Sequence, residues 1–111
     1  MKHLPDYQGR MVRLTDERLA HILEHPEMVG MEGAIGQTLS SPTTVVLSRS
    51  DPAAALSYRF YTRTLVGDKR LCVVVRYSAA DAFVVAAYLT DSELARKHRP
   101  LQAQLAPRRV G

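Results

Sequence analysis

The sequence predicts an α+β protein in which two N-terminal helices pack on a four-stranded antiparallel sheet. The N-terminal part holds two stretches with apolar residues at helical spacing, and four apolar or alternating stretches follow. Short turns separate these four stretches, and strands that are joined by short turns pair antiparallel. Two amphipathic helices need one large apolar surface, so both are expected on the same side of the sheet.

Length and composition are those of a single globular domain. The chain has 111 residues, of which 46% are hydrophobic, enough for one core. No apolar run approaches the roughly 20 residues that span a bilayer, and the N-terminus lacks the apolar stretch of a signal peptide. These features predict a cytoplasmic protein without a membrane partner. Cys72, the single cysteine, lies in a predicted strand and is expected to be a buried core thiol.

Positive charge is concentrated in the strand-rich half of the chain. Residues 1–50 hold five Lys or Arg against six Asp or Glu, whereas residues 51–111 hold ten against five, and the whole chain carries +4. A basic sheet suits partners that carry phosphate groups. The alternative is a charged surface that only keeps the protein soluble.

The first helix is predicted over 15–25, after an irregular arm (1–9) and a short edge strand (10–14). Thr15 is a suitable N-cap, two acidic residues follow it, and Pro26 cannot continue the hydrogen-bond ladder. A second helix is predicted over 29–39, where Gly33 and Gly36 each cost about 1 kcal/mol relative to alanine. The two apolar stripes consist of Leu19, Ile22 and Leu23, and of Met28, Met31, Ile35 and Leu39.

Four strands and a C-terminal tail complete the predicted domain. Turns are expected at Asp51-Pro52, at Gly67-Asp68 and at 78–81, because these residue types favour tight turns. The C-terminal segment 92–111 is expected to hold a short helix (92–98) and a basic tail. The strands are predicted over 44–50, 56–65, 71–77 and 82–90.

Two histidines on the first helix are candidates for proton transfer. His21, Glu24 and His25 match the H-x-x-E-H motif of inverted zinc proteases. That interpretation is rejected, because such enzymes need a further ligand and a larger scaffold, and the helix ends directly after His25. The remaining interpretations are a solvated helix flank and a general acid or base, the role that imidazole fills best near neutral pH.

The polar side chains of the sheet are the second candidate. If they share a face, guanidinium groups that grip phosphate oxygens would converge with hydroxyls and phenols, and could bind RNA and stabilise the transition state of its cleavage. The alternative is an ordinary exposed sheet face, which is normally polar. The set comprises Arg59, Tyr61, Arg63, Arg76, Ser48, Ser50, Tyr88 and Thr90.

No glycine-rich phosphate loop, serine-elbow motif or paired-cysteine metal site occurs in the sequence. This excludes nucleotide-driven enzymes and the common hydrolases as first choices. The sequence accordingly predicts no cofactor and no metal site.

A resemblance to a known family covers about residues 10–91. The chain is similar there to small phage- and mobile-element-associated proteins assigned to the barnase–EndoU–colicin–RelE-like nuclease fold. The most distinctive pieces are the helix with its His-Ile and His-Pro-Glu steps and the closing Ala-Tyr-x-Thr. The matching stretches are LTDERLAHILEHPEM (14–28), IGQTLSSPTTVVLSRSDP (35–52), YRFYTR (58–63), KRLCVVVRY (69–77) and DAFVVAAYLTD (81–91).

The resemblance implies a metal-independent endoribonuclease, often a toxin, in which the 2′-hydroxyl attacks the adjacent phosphate. It maps the helix histidine to His21 (or His25), the strand arginine to Arg59 and the terminal hydroxyl to Thr90. The partners it implies are RNA and an antitoxin or immunity protein. A module that binds RNA or protein without catalysis is the alternative. The residues expected to bind RNA are Arg76, Tyr61, Arg63, Tyr88 and Ser48.

Overall fold

The protein is described by a computed structural model for residues 1–91 and, as backbone alone, for residues 98–100. The predicted helix 92–98 and the tail therefore lie almost wholly outside the described residues. The elements in chain order are β1 (Lys2–Pro5), β2 (Met11–Leu14), α1 (Asp16–Leu23), a 3₁₀ turn (Pro26–Met28), α2 (Glu32–Ser40), β3 (Thr44–Ser48), β4 (Ala54–Thr64), β5 (Gly67–Tyr77), β6 (Ala82–Thr90) and β7 (His98–Pro100).

The sheet is larger than predicted, and it is mixed. Within residues 1–91 six strands form one sheet, and β7 pairs with β3 at one edge, which gives the order β1-β2-β6-β5-β4-β3-β7. The four strands β3 to β6 pair antiparallel in chain order. However, β2 runs parallel to β6, with Arg13 opposite Phe83. The predicted four-stranded antiparallel sheet is thus wrong, although the α+β class is compatible with the structure.

The predicted short strand 10–14 is present as β2, and two physical features explain why its pairing with β6 and the strand β1 were missed. The pairing of β2 with β6 joins residues 70 positions apart, and hydrophobic periodicity reports nothing about such distant contacts. β1 occupies part of the expected irregular arm, and four residues are too few to display an alternating pattern. The turn between β1 and β2 is built by the Asp6 carboxylate, which accepts hydrogen bonds from the backbone N–H groups of Gln8 and Arg10 at 2.9 Å.

Both helices begin and end where local signals place them to within a few residues. The hydroxyl of Thr15 accepts a hydrogen bond from the N–H of Arg18 at 3.1 Å, so Thr15 caps α1 as predicted. The helix closes at Glu24, and Pro26 opens the 3₁₀ turn. Helix α2 begins later than predicted, at Glu32, because Gly30 adopts a positive φ of 84° ahead of it.

The helices cover one face of the sheet, here called the inner face. The main core lies between the two helices and the sheet. The predicted stripe residues Ile22, Ile35 and Leu39 are buried in it. On β5 the inner face carries alternate residues, as the strand period of two requires. The buried members of this core are Val12, Leu14, Ile22, Met28, Ile35, Leu39, Leu71, Val73, Val75, Ala82, Val84 and Ala87.

The opposite face of the sheet, here called the outer face, is buried over β3 and β4 and more accessible over β6. A separate cluster of Val46, Leu56, Tyr58 and Cys72 is at most 4% exposed. Tyr88 on β6 packs at its border and is half-buried. No helix within the described residues is long and apolar enough to cross a membrane.

Candidate nucleic-acid interface

A projecting hairpin dominates one end of the sheet. β4 and β5 extend to a two-residue turn, Leu65-Val66, where both side chains are exposed. Gly67 has a φ of 94°, and Arg63 adopts a φ of 58° at an irregularity in the strand pairing. We call the end of the sheet that contains this turn, together with the last residues of β6, the hairpin end. The backbone N–H of Arg63 donates to the Asp68 carboxylate at 3.0 Å, which holds the irregular hairpin in one shape.

Arg59 and Tyr61 lie on the inner face and contact helix α2. Their register partners on β5 are Leu71 and Lys69. The Arg59 guanidinium donates to the carbonyl of Ser41 at 2.7 Å. The Tyr61 hydroxyl lies 2.7 Å from Oε1 of Gln37. Both side chains therefore attach the end of β4 to the C-terminal half of α2. Some of their hydrogen-bonding groups already have partners within the protein.

Three side chains form a row across the outer face at the hairpin end. Phe60 on β4, Arg70 on β5 and Thr90 on β6 are direct register partners, and such neighbours have Cβ atoms about 5 Å apart. The Arg70 guanidinium carbon lies 5.7 Å from the centroid of the Phe60 ring. Phe60 is 49% exposed, which is high for a large apolar side chain. We call these residues the Phe60–Arg70–Thr90 row.

Positive charge exceeds negative charge at this end. The described residues there carry four cations (Arg59, Arg63, Lys69 and Arg70) against the two carboxylates of Asp68 and Asp91. Lys69 forms an ion pair with Asp91. A site with excess cations next to an exposed aromatic ring suits a ligand that carries phosphates and flat bases.

Two arginines at the opposite end, Arg13 and Arg76, are paired with carboxylates. Arg13 makes a two-point contact with Asp81, and hydrogen bonding and charge attraction between them raise the pKa of Arg13 and lower the pKa of Asp81. Arg76 lies 3.4 Å from a carboxylate oxygen of Asp51. The hairpin end, where cations outnumber carboxylates by two among the described residues, is therefore the candidate place for an anionic ligand.

The predicted site residues divide between the two ends and the two faces. Along β5, Arg76 lies about 20 Å from Arg70, since six residues of strand separate them. Ser48 lies at the far end too, where its hydroxyl contacts that of Ser50 at 3.1 Å. Five of the other predicted residues lie at the hairpin end. Of these, Arg59 and Tyr61 are on the inner face, Thr90 is on the outer face with Tyr88 one row inward, and Arg63 lies at the strand irregularity.

Neither Tyr88 nor Cys72 can supply an anionic nucleophile at neutral pH. The two residues are register partners on the outer face. Burial raises the pKa of the Cys72 thiol to about 11. Burial, followed by the hydrogen bond with Cys72, raises the pKa of the Tyr88 hydroxyl as well. Tyr88 is therefore a neutral hydroxyl that can donate or accept a hydrogen bond.

The two helix histidines remain on the surface of α1. The side chain of His21 is 63% exposed, and its Nδ1 lies 3.5 Å from Oε1 of Glu24 within the same helix. His25 is exposed and precedes the 3₁₀ turn without a side-chain capping bond. The Arg59 guanidinium is bound to the carbonyl of Ser41, while His21 contacts a residue of its own helix. A catalytic role for either histidine requires that bound RNA comes within hydrogen-bond distance of its imidazole.

Two important residues of this end escaped the sequence analysis. In the predicted strand 56–65, alternation places Phe60 on one face with Leu56 and Tyr58, and Arg70 falls between the predicted turn at Gly67-Asp68 and the predicted strand 71–77. The alternation of β5 could have revealed Arg70, since continuing it backwards from Cys72 places Arg70 on the same face. The exposure of Phe60 had no such signal, because it depends on how far the hairpin projects.

Comparisons with known proteins provided no family for this chain. A scan against protein-family models matched nothing, and searches of curated proteins and of solved structures returned no match. Within the described residues, no group of three or more His, Cys, Asp or Glu side chains is arranged to hold a metal ion.

Proposed function

We propose that this protein acts on RNA that it binds at the hairpin end, and that it cleaves this RNA without a metal ion. The observation that carries the proposal is the Phe60–Arg70–Thr90 row, which aligns an exposed ring, a guanidinium group and a hydroxyl on adjacent strands. An aromatic ring can stack on a base. A guanidinium group can form paired hydrogen bonds with phosphate oxygens, and a hydroxyl can donate another.

The proposed cleavage is a transesterification within the RNA chain. The 2′-hydroxyl loses its proton to a general base and attacks the adjacent phosphorus, the bond to the 5′-oxygen breaks, and that oxygen takes up a proton. The products are a 2′,3′-cyclic phosphate and a 5′-hydroxyl end. Arg70 would hold a phosphate next to the stacked base and so anchor the strand in which a neighbouring phosphodiester is cleaved.

The proton acceptor in this proposal is His21, with His25 as the second choice. Imidazole is the side chain best suited to exchange protons near neutral pH. Its support is the exposure of both rings together with the family resemblance, which maps the helix histidine to His21. In this role the strand anchored at the row would extend around the sheet to α1, and the phosphodiester that is cleaved would lie beyond the anchored nucleotide.

A non-catalytic module that binds RNA through the same basic end is the second candidate. It is favoured by one observation: the exposed imidazole of His21 contacts Glu24 of its own helix, while the Arg59 guanidinium is bound to the carbonyl of Ser41. An antitoxin or immunity protein is proposed as a partner only for the first candidate, since a non-catalytic module needs no inhibitor.

The two candidates are separated by measuring binding and cleavage of the same RNA in EDTA. Wild type, His21→Ala, Arg70→Gln and the control Arg49→Gln, which changes an exposed arginine at the far end, are mixed with end-labelled RNA. The first candidate predicts cyclic-phosphate products that are lost in His21→Ala and Arg70→Gln and retained in the control. Binding that weakens in Arg70→Gln but yields no product supports the second candidate. Wild-type protein that neither binds nor cuts RNA contradicts both.

A further inference from the structure

We infer that the RNA engaged at the hairpin end is single-stranded, with one unpaired base stacked on Phe60. This inference rests on the proposed function and names the substrate class of the same site. It concerns an aromatic side chain that neither the composition nor the strand pattern of the sequence singles out.

The position of Phe60 on the outer face is the first argument. Its neighbours on the same face of β4, Leu56 and Tyr58, are at most 4% exposed, whereas Phe60 is 49% exposed. The ring therefore marks the point where the outer face changes from buried core to accessible surface. An exposed large ring beside cationic side chains is the arrangement that binds nucleic-acid bases without reading their sequence.

Arg70 supplies the second argument, because it fixes the environment of the ring. Its guanidinium carbon lies 5.7 Å from the ring centroid, and its Nη1 lies 3.3 Å from the carbonyl of Asp91. A guanidinium group held beside the ring can bind a phosphate next to a base that stacks on the ring. The row therefore offers a ring for the base of a nucleotide and a guanidinium group for its phosphate, on neighbouring strands.

The need for an unpaired base follows from the chemistry of stacking. Within a duplex both faces of a base are covered by its neighbours, so a protein ring cannot stack on it unless the base leaves the helix. Extruding a base costs a few kcal/mol, and a single strand avoids this cost. The row should therefore favour single-stranded RNA over a duplex of the same sequence.

The absence of tryptophan from the chain allows a direct test. Phe60→Trp introduces a single indole, which is titrated with a short RNA and with the same RNA annealed to its complement. Stacking predicts fluorescence quenching that saturates with the single strand and is much weaker with the duplex at equal concentration. The control is Leu65→Trp, at a turn residue that is 70% exposed and close to the site. It should show little quenching.

A second measurement uses a matched pair of phenylalanines. Phe83 lies under Arg13 at the far end, with 5.6 Å between guanidinium carbon and ring centroid, much as Phe60 lies under Arg70. Phe60→Leu should weaken binding of single-stranded RNA by about 5- to 100-fold, the usual effect of losing one stacked base. Phe83→Leu should leave it unchanged. Circular dichroism checks that each variant is folded.

The possible outcomes distinguish this inference from the proposed function. If wild-type protein binds RNA but prefers the duplex, or Phe60→Trp binds RNA without quenching, the stacking inference is wrong and RNA binding stands. If Phe60→Leu and Phe83→Leu weaken binding equally, the ring has no special role. If the wild type binds no RNA at all, the proposed function and this inference both fail.

Discussion

Cys72 shows how burial sets the chemistry of a single residue. Its side chain is fully buried on the outer face beside Tyr58 and Tyr88, and burial raises its pKa to about 11. At pH 8 only about one thiol in a thousand is then ionised, so the residue is a packed core group and a poor nucleophile. The prediction of a buried core thiol from the sequence is confirmed.

This raised pKa predicts that the folded protein loses stability in alkaline solution. The folded state keeps its thiol proton up to about pH 11, whereas an unfolded thiol loses it near pH 9. Because the folded state binds more protons in this window, the free energy of unfolding falls as the pH rises from 9 to 11, by at most about 1.4 kcal/mol per pH unit from this group. Urea unfolding at pH 8, 9 and 10 measures how the free energy of unfolding depends on pH.

The control for the alkaline prediction is the variant Cys72→Ala. It should be less stable than wild type at pH 8, because it leaves a small cavity, but its stability should depend less steeply on pH. Equal slopes for the two proteins would show that Cys72 does not contribute, and that the partly buried hydroxyls of Tyr77 and Tyr88, whose pKa values burial also raises, dominate the pH dependence.

At the scale of secondary-structure elements, backbone conformation determines which glycine substitutions the turns and helices tolerate. Gly67 begins β5 with a φ of 94°, whereas Gly33 lies inside helix α2, and a Cβ added at either position would meet no atom within 4 Å. Space is therefore not limiting at either glycine. Only the preferred backbone angles of alanine distinguish them.

The two alanine substitutions should consequently have opposite signs. Gly67→Ala should lower the free energy of unfolding by about 1–2 kcal/mol, since a positive φ is unfavourable for alanine. Gly33→Ala should raise it by about 0.5–1 kcal/mol, the difference in helix propensity. Urea denaturation of the two variants beside wild type measures both. The same sign for both would mean that backbone conformation is not the deciding factor.

Local signals also account for how much of each element was predictable. Thr15 and Pro26 bracket α1, and the Ser78 to Asp81 turn joins β5 to β6 as expected, because capping and turn formation depend on neighbouring residues. The hairpin turn falls at Leu65-Val66, just before the predicted Gly67-Asp68. Gly67 instead begins β5. The hydroxyl of Thr64 donates a hydrogen bond to the carbonyl of Gly67 across the turn.

For the whole molecule, a polar clamp connects the N-terminal hairpin to the rest of the sheet. The buried Asp6 carboxylate accepts a hydrogen bond from the hydroxyl of Tyr77 at 2.9 Å. Arg10 stacks on the Tyr77 ring and donates to the carbonyls of Ser78 and Asp81. These contacts join the β1–β2 turn to the β5–β6 turn, which no local sequence pattern could indicate.

The ion pair of Arg13 with Asp81 supports the same junction and can be tested alone. Asp81→Asn removes the charge but keeps the size of the side chain, and it should open β1 and β2 more often while leaving the other strands unchanged. Hydrogen exchange of backbone amides measures this. Amides of β1 and β2 should exchange faster than in wild type, with β4 and β5 unchanged. Uniform acceleration would instead indicate global destabilisation.

A similar loosening is expected in acid. Asp81 has a lowered pKa in the folded state, because Arg13 hydrogen-bonds and attracts its charged form. Its stabilising contribution is therefore complete above the ordinary carboxyl pKa and is lost as the pH falls through the lower folded value. The exchange rates of β1 and β2 should then converge with those of Asp81→Asn at low pH.

The α+β class, both helices and the four consecutive antiparallel strands follow from residue order, because capping, turn and periodicity signals are local. The parallel β2–β6 contact and the added β1 strand were decided by tertiary packing, since they pair segments that lie far apart in the chain or are too short to show a pattern. The candidate site depends on tertiary packing even more strongly. Register alone places Phe60, Arg70 and Thr90 in one row and puts Arg59 on the other face.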